Sequence, residues 1–284
     1  FDDEEGMARL GTDVRPGWRN QRLVRILAVV PRQIEAHGGA LADLGIDPDL
    51  SARRAVEIAL ARGPKPSEIL TAAAFDNAIR ADMALGGSTN AIVHLVAIAG
   101  RAGIPLPLRR FDDLSRATPL LANVRPSGKH LMEDFYYAGG VPAVLRELLP
   151  MLDGTARNVN GRSLAENVAD APCHDRDIIR PLSLPLQPEG GTVILFGNLC
   201  PGGAVLKQSA ASAHLMVHRG RAVVFEDHRG LGRRIHVPAL PIDETSVLVL
   251  KQAGPKGGPG MPEWGAAPVP ARLLKAGVKD MVRI

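Results

Sequence analysis

The clearest apolar rhythm in the chain runs through "SEILTAAAFDNAIRADMALGG", residues 67 to 87, where Ile69, Ala73, Phe75, Ile79 and Met83 recur at near-helical spacing. The pattern predicts a helix capped by Ser67 and stopped by Gly86 and Gly87. "STN" comes next, and then Ala91 to Ala99 is apolar almost throughout, which predicts a second, buried helix with His94 as a core histidine rather than a ligand. Further along, "FDDLSRA", "GKHLMEDFYYAGG" and "PAVLRELLPML" each predict a short helix. Gly139 and Gly140 end the second of these, and Pro142 falls in the first turn of the third. Ser163 caps one more, "LAENVADA". To about residue 175 the chain reads as mostly helical.

The texture changes across the proline-rich "RPLSLPLQPEGG", residues 180 to 191. Beyond it, short β-branched runs sit between glycines: "TVILFG", "GAVLKQS", "RAVVFED" and "SVLVL". They predict strands of a β-rich second portion. Residues 1 to 50 are harder to organise. "QRLVRILAVV" fits a helix or a strand, and Pro31 breaks the run directly after it. The last stretch, "GVKDMVRI", is strand-like with no closing turn, so a cut domain is expected there.

Composition narrows the classes. With 284 residues, 45% hydrophobic and 23% charged, the chain is ordinary globular material, long enough for two domains. Aromatics make up only 4%, so the core must rest on aliphatic side chains. The net charge of +4 comes from dispersed arginines, without the basic stripe and stacking aromatics that nucleic-acid binding uses. A small positive surplus suits small anionic substrates. "AIVHLVAIAG" is too short to span a bilayer, and the acidic "FDDEEGMARL", which does not start with Met, does not read as a signal peptide and is expected not to be a native start. Cys173 and Cys200 are the only cysteines and show no metal or disulfide spacing, so a reduced, cytoplasmic compartment is expected. His214, His218, His228 and His236 show no metal spacing either.

Two stretches carry candidate chemistry. In "LGGSTNA", residues 85 to 91, two glycines and three small polar residues precede an apolar helix. The free N–H groups and positive pole of such a helix start suit a carboxylate or phosphate, with Ser88, Thr89 and Asn90 adding hydroxyl and amide groups. The plainer reading is that Thr89 or Asn90 only caps the helix. In "GPKGGPGMPEWG", residues 254 to 265, a stiff loop after a strand presents Lys256 and Glu263 beside Trp264. It matches neither the phosphate-loop nor the dinucleotide pattern. A carboxylate fixed among glycines and prolines suits a hard cation such as Mg²⁺, and the alternative is a tight solvent-facing turn. Glu133 and Asp134 in "LMEDFYY" diverge on a helix, so one is expected to be exposed. In "FGNLCPGG", Asn198 reads as a turn residue and Cys200 as a small core hydrophobe.

Taken in order, "AFDNAIRADMALGGSTNAIVHLVAIA", "VRPSGKHLMEDFYYAGGVPAVLREL", "GGTVILFGNLCPGGAVLKQSAAS", "DETSVLVLKQAGPKGGPGMPEWG" and "LLKAGVKDMVRI" resemble the dihydroxy-acid and sugar-acid dehydratases over about residues 51 to 284. The resemblance implies a hydro-lyase that removes water from a 2,3-dihydroxy carboxylic acid to give a 2-keto-3-deoxy acid, using Mg²⁺ and an iron–sulfur cluster, commonly [2Fe–2S]. It implies Glu263 as a Mg²⁺ ligand. It also implies that the cluster cysteines, an Asp and a modified Lys lie upstream of residue 51, and that the base serine follows Ile284. Residues 1 to 50 contain no cysteine, so no catalytic residue and no cluster ligand is assigned in this chain, and it is expected to be inactive as it stands. "GMPEWG" and "EDFYYAGG" look more like the arabinonate- and xylonate-type branch than the branched-chain amino-acid enzyme. The alternatives are that second enzyme, or a non-catalytic remnant that acts as a binding subunit. Dimers or tetramers are implied for the full-length protein. The fold expected is α/β: residues 1–50 unassigned, 51–180 a partial helix-rich N-terminal α/β domain, and 181–284 an incomplete β-barrel-like C-terminal domain.

Overall fold

The computed structural model describes residues 48–253 and 267–284, and the chain divides into two compact units, 1–64 and 65–284. From the first unit it describes helix α1 (Pro48–Leu60), whose end is closed by the Gly63 N–H on the Ile58 carbonyl at 2.8 Å.

In the second unit the first predicted helix is two. A short α2 (Pro66–Ile69) holds Ser67 inside it, not at its cap, and its entrance is tied by the Lys65 N–H on Glu68 at 2.8 Å. Leu70 then breaks the helical geometry, and the Thr71 hydroxyl accepts the Ala74 N–H at 3.2 Å to start α3 (Ala72–Leu85). Phe75, Ile79 and Met83 are buried on α3, as their spacing requires. Helix α4 (Thr89–Arg101) comes next, but it is not buried all round. Ile92 and Ala99 face the interior, while Val96, Ile98 and His94 are exposed. The core position expected for His94 is therefore overturned. Near-uniform hydropathy hides the stripe along which a helix packs, and here the stripe is narrow. Helices α5 (Leu108–Arg116), α6 (Met132–Tyr137), α7 (Gly140–Leu148) and α8 (Leu164–Val168) occupy the remaining predicted positions. Ser163 caps α8 and Glu166 reaches back to the Ser163 N–H at 2.7 Å, a closed capping box. Glycine is required before α7, since a Cβ on Gly139 (φ 119°) would lie 2.2 Å from the Pro172 carbonyl oxygen.

The four predicted strands form as two separate pairs. β1 (Val193–Leu195) runs antiparallel to β2 (Ala204–Leu206), with Ile194 opposite Val205. β3 (Ala222–Phe225) runs parallel to β4 (Val247–Leu250), with Val223 opposite Leu248. Parallel neighbours need a crossover. Helix α9 (His228–Arg234), capped by Asp227 on the Gly230 N–H at 2.6 Å, lies in it. The chain end adds to the other side of β4, where the Ile284 N–H donates to Leu248 at 2.9 Å. Helix α10 (Ala271–Lys275) completes this region. Among the described residues the architecture is mixed helix and sheet, without a closed barrel.

Among the described residues of the second unit, three apolar clusters hold it together. One gathers Leu121, Phe135, Val144, Leu148 and Ile179 between α6, α7 and the neighbouring extended chain. Another joins Ile79, Met83, Ile92, Phe111 and Leu114 of the helices to Ile194 of β1. The third lies wholly in the C-terminal region, with Phe225, Leu231, Leu248, Val269, Leu273 and Met281.

Candidate substrate turn at Gly86–Asn90

The turn between α3 and α4 is dictated by its sequence. Gly86 adopts the left-handed conformation (φ 56°, ψ 46°) that stops α3. Its N–H reaches the Met83 carbonyl at 3.2 Å and the Gly87 N–H reaches Asp82 at 2.8 Å, the paired bonds of a Schellman end. Ser88 then caps α4, its hydroxyl accepting the Asn90 N–H at 3.2 Å and its carbonyl accepting the Ala91 N–H at 2.9 Å. The cap is Ser88, and neither Thr89 nor Asn90 takes that role. The Asp82 carboxylate lies beside this turn, its Oδ1 2.0 Å from where a Gly87 Cβ would stand. Among the described residues the Thr89 N–H has no hydrogen bond within the fold.

Sequence-distant segments close around the turn. A Cβ on Gly86 would meet Leu120 Cδ1 at 3.0 Å, Ser127 Oγ at 3.3 Å and Ser209 Oγ at 3.5 Å, and one on Gly191 would lie 2.5 Å from the Gly86 Cα. Ser127 and Ser209 share a hydrogen bond of 2.7 Å, and the Ser209 hydroxyl is also 3.0 Å from the Gly191 carbonyl. Two ionisable groups complete the surroundings. Burial pushes the Asp82 carboxyl up to about 6 against the opposing pull of Lys207, and burial lowers the Lys207 ammonium. The Asn90 Oδ1 and Asp82 Oδ2 atoms are buried with no hydrogen-bond partner. The candidates Ser88, Thr89 and Asn90 thus sit together. Ser127, Lys207, Ser209 and Gly191 lie in other stretches and only tertiary folding brings them to this turn, whereas Asp82 is local, in the last turn of α3, with nothing in the sequence to mark its burial. The doubled glycines at 86–87 and 190–191 are the one local signal of close backbone approach.

The second candidate, the loop with Lys256, Glu263 and Trp264, lies outside the described residues. Glu133 is exposed, and Asp134 accepts the Leu131 N–H at 2.7 Å to cap α6, so the adjacent acids have local structural roles. The Cys173 thiol faces the Asp175 and Ile179 carbonyls at 3.7 and 3.9 Å, and Cys200 follows β1. Among the described residues no three His, Cys, Asp or Glu side chains gather as a metal site, so those residues do not fit a metal ion or an iron–sulfur cluster on their own. No described helix is long and apolar enough to cross a membrane.

The fold's two stretches, the helical region and the strand-bearing region, correspond to two halves of one enzyme class. Residues 48–167 match the N-terminal model, and residues 177–284 the C-terminal model, of the dihydroxy-acid/6-phosphogluconate dehydratases. The chain belongs to that family. It is 55% identical over 240 residues to L-arabonate dehydratase of Azospirillum brasilense, covering 83% of this chain and 41% of the relative. It is 49% identical over 226 residues to 6-deoxy-6-sulfo-D-gluconate dehydratase of Pseudomonas putida, covering 78% and 39%. Against dihydroxy-acid dehydratase of Ignicoccus hospitalis the identity is 44% over 224 residues, covering 78% and 40%. The chain spans about two fifths of the length of these curated relatives.

Proposed function

We propose that this chain is part of a sugar-acid dehydratase, a hydro-lyase that converts a 2,3-dihydroxy carboxylic acid into a 2-keto-3-deoxy acid. The observation that carries the reading is the higher identity to the L-arabonate enzyme, 55%, than to the dihydroxy-acid dehydratases, 44% to 47%. In the complete protein, Mg²⁺ and an iron–sulfur cluster would supply Lewis acidity toward the carboxylate and the departing hydroxyl. The described residues do not form either site. Glu263 is proposed as one Mg²⁺ ligand. Ser88, Thr89 and Asn90 are proposed to hold the anionic substrate. The Thr89 N–H, at the positive pole of α4 and without an internal partner among the described residues, supports that role. A cytoplasmic, oligomeric full-length enzyme with a β-barrel-like C-terminal domain belongs to the same proposal.

With two cysteines in the chain, the thiolates that normally ligate a cluster are too few. The 284-residue chain alone is therefore expected to stay colourless and inactive after anaerobic reconstitution with iron and sulfide. Activity is tested by a chimaera in which residues 48–284 replace the matching segment of the Azospirillum brasilense relative. Turnover of L-arabonate supports the proposal. Turnover only of a branched-chain dihydroxy acid moves the chain to the other branch, and a folded but inactive chimaera marks a non-catalytic remnant.

A further inference from the structure

Helix α6 presents two unlike faces. Phe135, and the Ala138 that follows the helix, are buried. Met132, Glu133, Tyr136 and Tyr137, at spacings of three and four, share the opposite face. Its large side chains stand open to solvent: Met132 is 69% exposed, Tyr137 60% and Tyr136 45%, and Leu131 just before the helix is 50% exposed. The two tyrosine rings meet edge to face with centroids 5.4 Å apart. Folded domains seldom leave such side chains together in water, and tyrosine and methionine are types that interfaces collect. Glu133 sits among them in the first turn, where the helix pole favours its charge, yet it has no hydrogen bond or ion pair among the described residues.

The loop just before α6, residues 125 to 130, carries the opposite charge. Arg125 and Lys129 are exposed, and neither closes an ion pair among the described residues; the Arg125 Nε donates to the Lys129 carbonyl at 3.2 Å. Asp177, the acid that meets this loop, is already held by His130 at 3.0 Å and by Arg180 at 2.5 Å, and Lys129 acts on it only through space. The loop is also firmly seated. A Cβ on Gly128 would lie 2.3 Å from the Asn123 backbone carbon, and the buried Asn123 side chain accepts the Lys129 N–H at 3.1 Å.

We propose that this surface binds a second copy of the same chain, the basic loop of each copy lying on the Glu133–tyrosine face of the other. A cationic loop and an acid-bearing aromatic face side by side are complementary to themselves after a half-turn, as a two-fold contact between identical chains requires. Lys129 of one copy meets Glu133 of the other and sets the register, while Met132 and Tyr137 supply the area removed from water. The second copy is the oligomer partner included in the proposed function, but the contact uses neither substrate nor metal, so its test reads no turnover and its failure is separate from a failure of the dehydratase reading.

The test is sedimentation velocity of the 284-residue chain over a concentration series. The wild type should pass from one copy to two, and less readily as salt rises. Tyr137→Ser should raise the dissociation constant roughly tenfold or more, the loss typical of an aromatic anchor. Glu133→Lys and Lys129→Glu should each stay monomeric where the wild type pairs. An equimolar mixture of those two variants should pair again, since every cation then faces an acid. A wild type that is monomeric throughout overturns the proposal and leaves the face to a different partner. A dimer that persists in Tyr137→Ser and in both charge variants also overturns it, because the contact then lies elsewhere, as does a mixture that does not pair. Should a variant not fold, the wild type decides: zero-length carbodiimide cross-linking of isotopically light and heavy chains must join Lys129 of one copy to Glu133 of the other, and absence of that adduct overturns the proposal.

Discussion

The second unit contains two kinds of apolar core. One is shared: Ile79, Met83, Ile92, Phe111 and Leu114 from the helices close on Ile194 of β1, more than one hundred residues after the first of them. The other is local, built from residues 223 to 281 around the parallel β3–β4 pair. The difference lies in what each fixes. The shared core sets the helices against the glycine-rich extended chain and so shapes the turn at Gly86–Asn90. The local core fixes the crossover from β3 through α9 to β4 and requires no helix before residue 228.

The largest effects should separate the two cores. Phe225 and Phe111 are each almost fully buried, and truncation to alanine should cost about 3–5 kcal/mol in either place. Phe225→Ala should release amide protection in β3 and β4 while α3 to α5 stay protected. Phe111→Ala should loosen α3, α5 and β1 together. Native-state hydrogen exchange measures both, and equal loss of protection everywhere in both variants would merge the two cores into one cooperative unit.

Next in size is a stabilising change. A carboxyl raised from 3.8 to about 6 in the fold favours the protonated folded state, so stability falls as pH rises from about 4 through about 6. Asp82→Asn removes that dependence. Thermal melts should show it more stable than the wild type at neutral pH, by up to about 3 kcal/mol from the size of the shift, and equal to it near pH 4. Lys207 loses its opposing charge in this variant, which trims the gain. Identical melts at neutral pH would remove the burial cost assigned to Asp82.

Legibility in the sequence divides along the same line between local and shared. Helices whose caps and stops are neighbours in sequence, such as Ser163 with Glu166 or Gly86 after Leu85, can be read directly, as can the four β-branched strands. Thr71 is hidden as a cap because the apolar spacing runs on through Leu70, and α9 is hidden because its glycines mimic a loop. The parallel pairing of β3 and β4 has no signature in either strand alone. Of the candidate site, Ser88, Thr89 and Asn90 are visible, whereas Asp82 and Lys207 matter only once burial and an opposing charge are known.

Smaller effects sharpen the shared boundary. Ser115 joins helix to extended chain twice: its hydroxyl donates to the Thr192 carbonyl at 2.5 Å, and its own carbonyl accepts the Gly190 N–H at 2.9 Å. Ser115→Ala removes only the first bond and leaves a buried carbonyl short of a donor, costing about 1–2 kcal/mol in chemical denaturation. A larger loss with reduced cooperativity would mean that this bond holds the β1–β2 hairpin in place. Thr71→Ala should cost about 1 kcal/mol, confined to the start of α3, and any effect on the C-terminal core would break the division between the two regions.

The glycines at the turn also bear on how such a site can change through descent. An alanine at Gly87 would meet Asp82, one at Gly190 would meet Ser115 Oγ at 2.6 Å and Met83 Cβ at 2.7 Å, and one at Gly191 would meet the Gly86 backbone. No single-methyl step is open at these positions, so the frame of the turn is locked against gradual drift. Under the substrate role proposed for the turn, change in ligand preference would fall to side chains set around that frame, Lys207 among them, and not to its backbone.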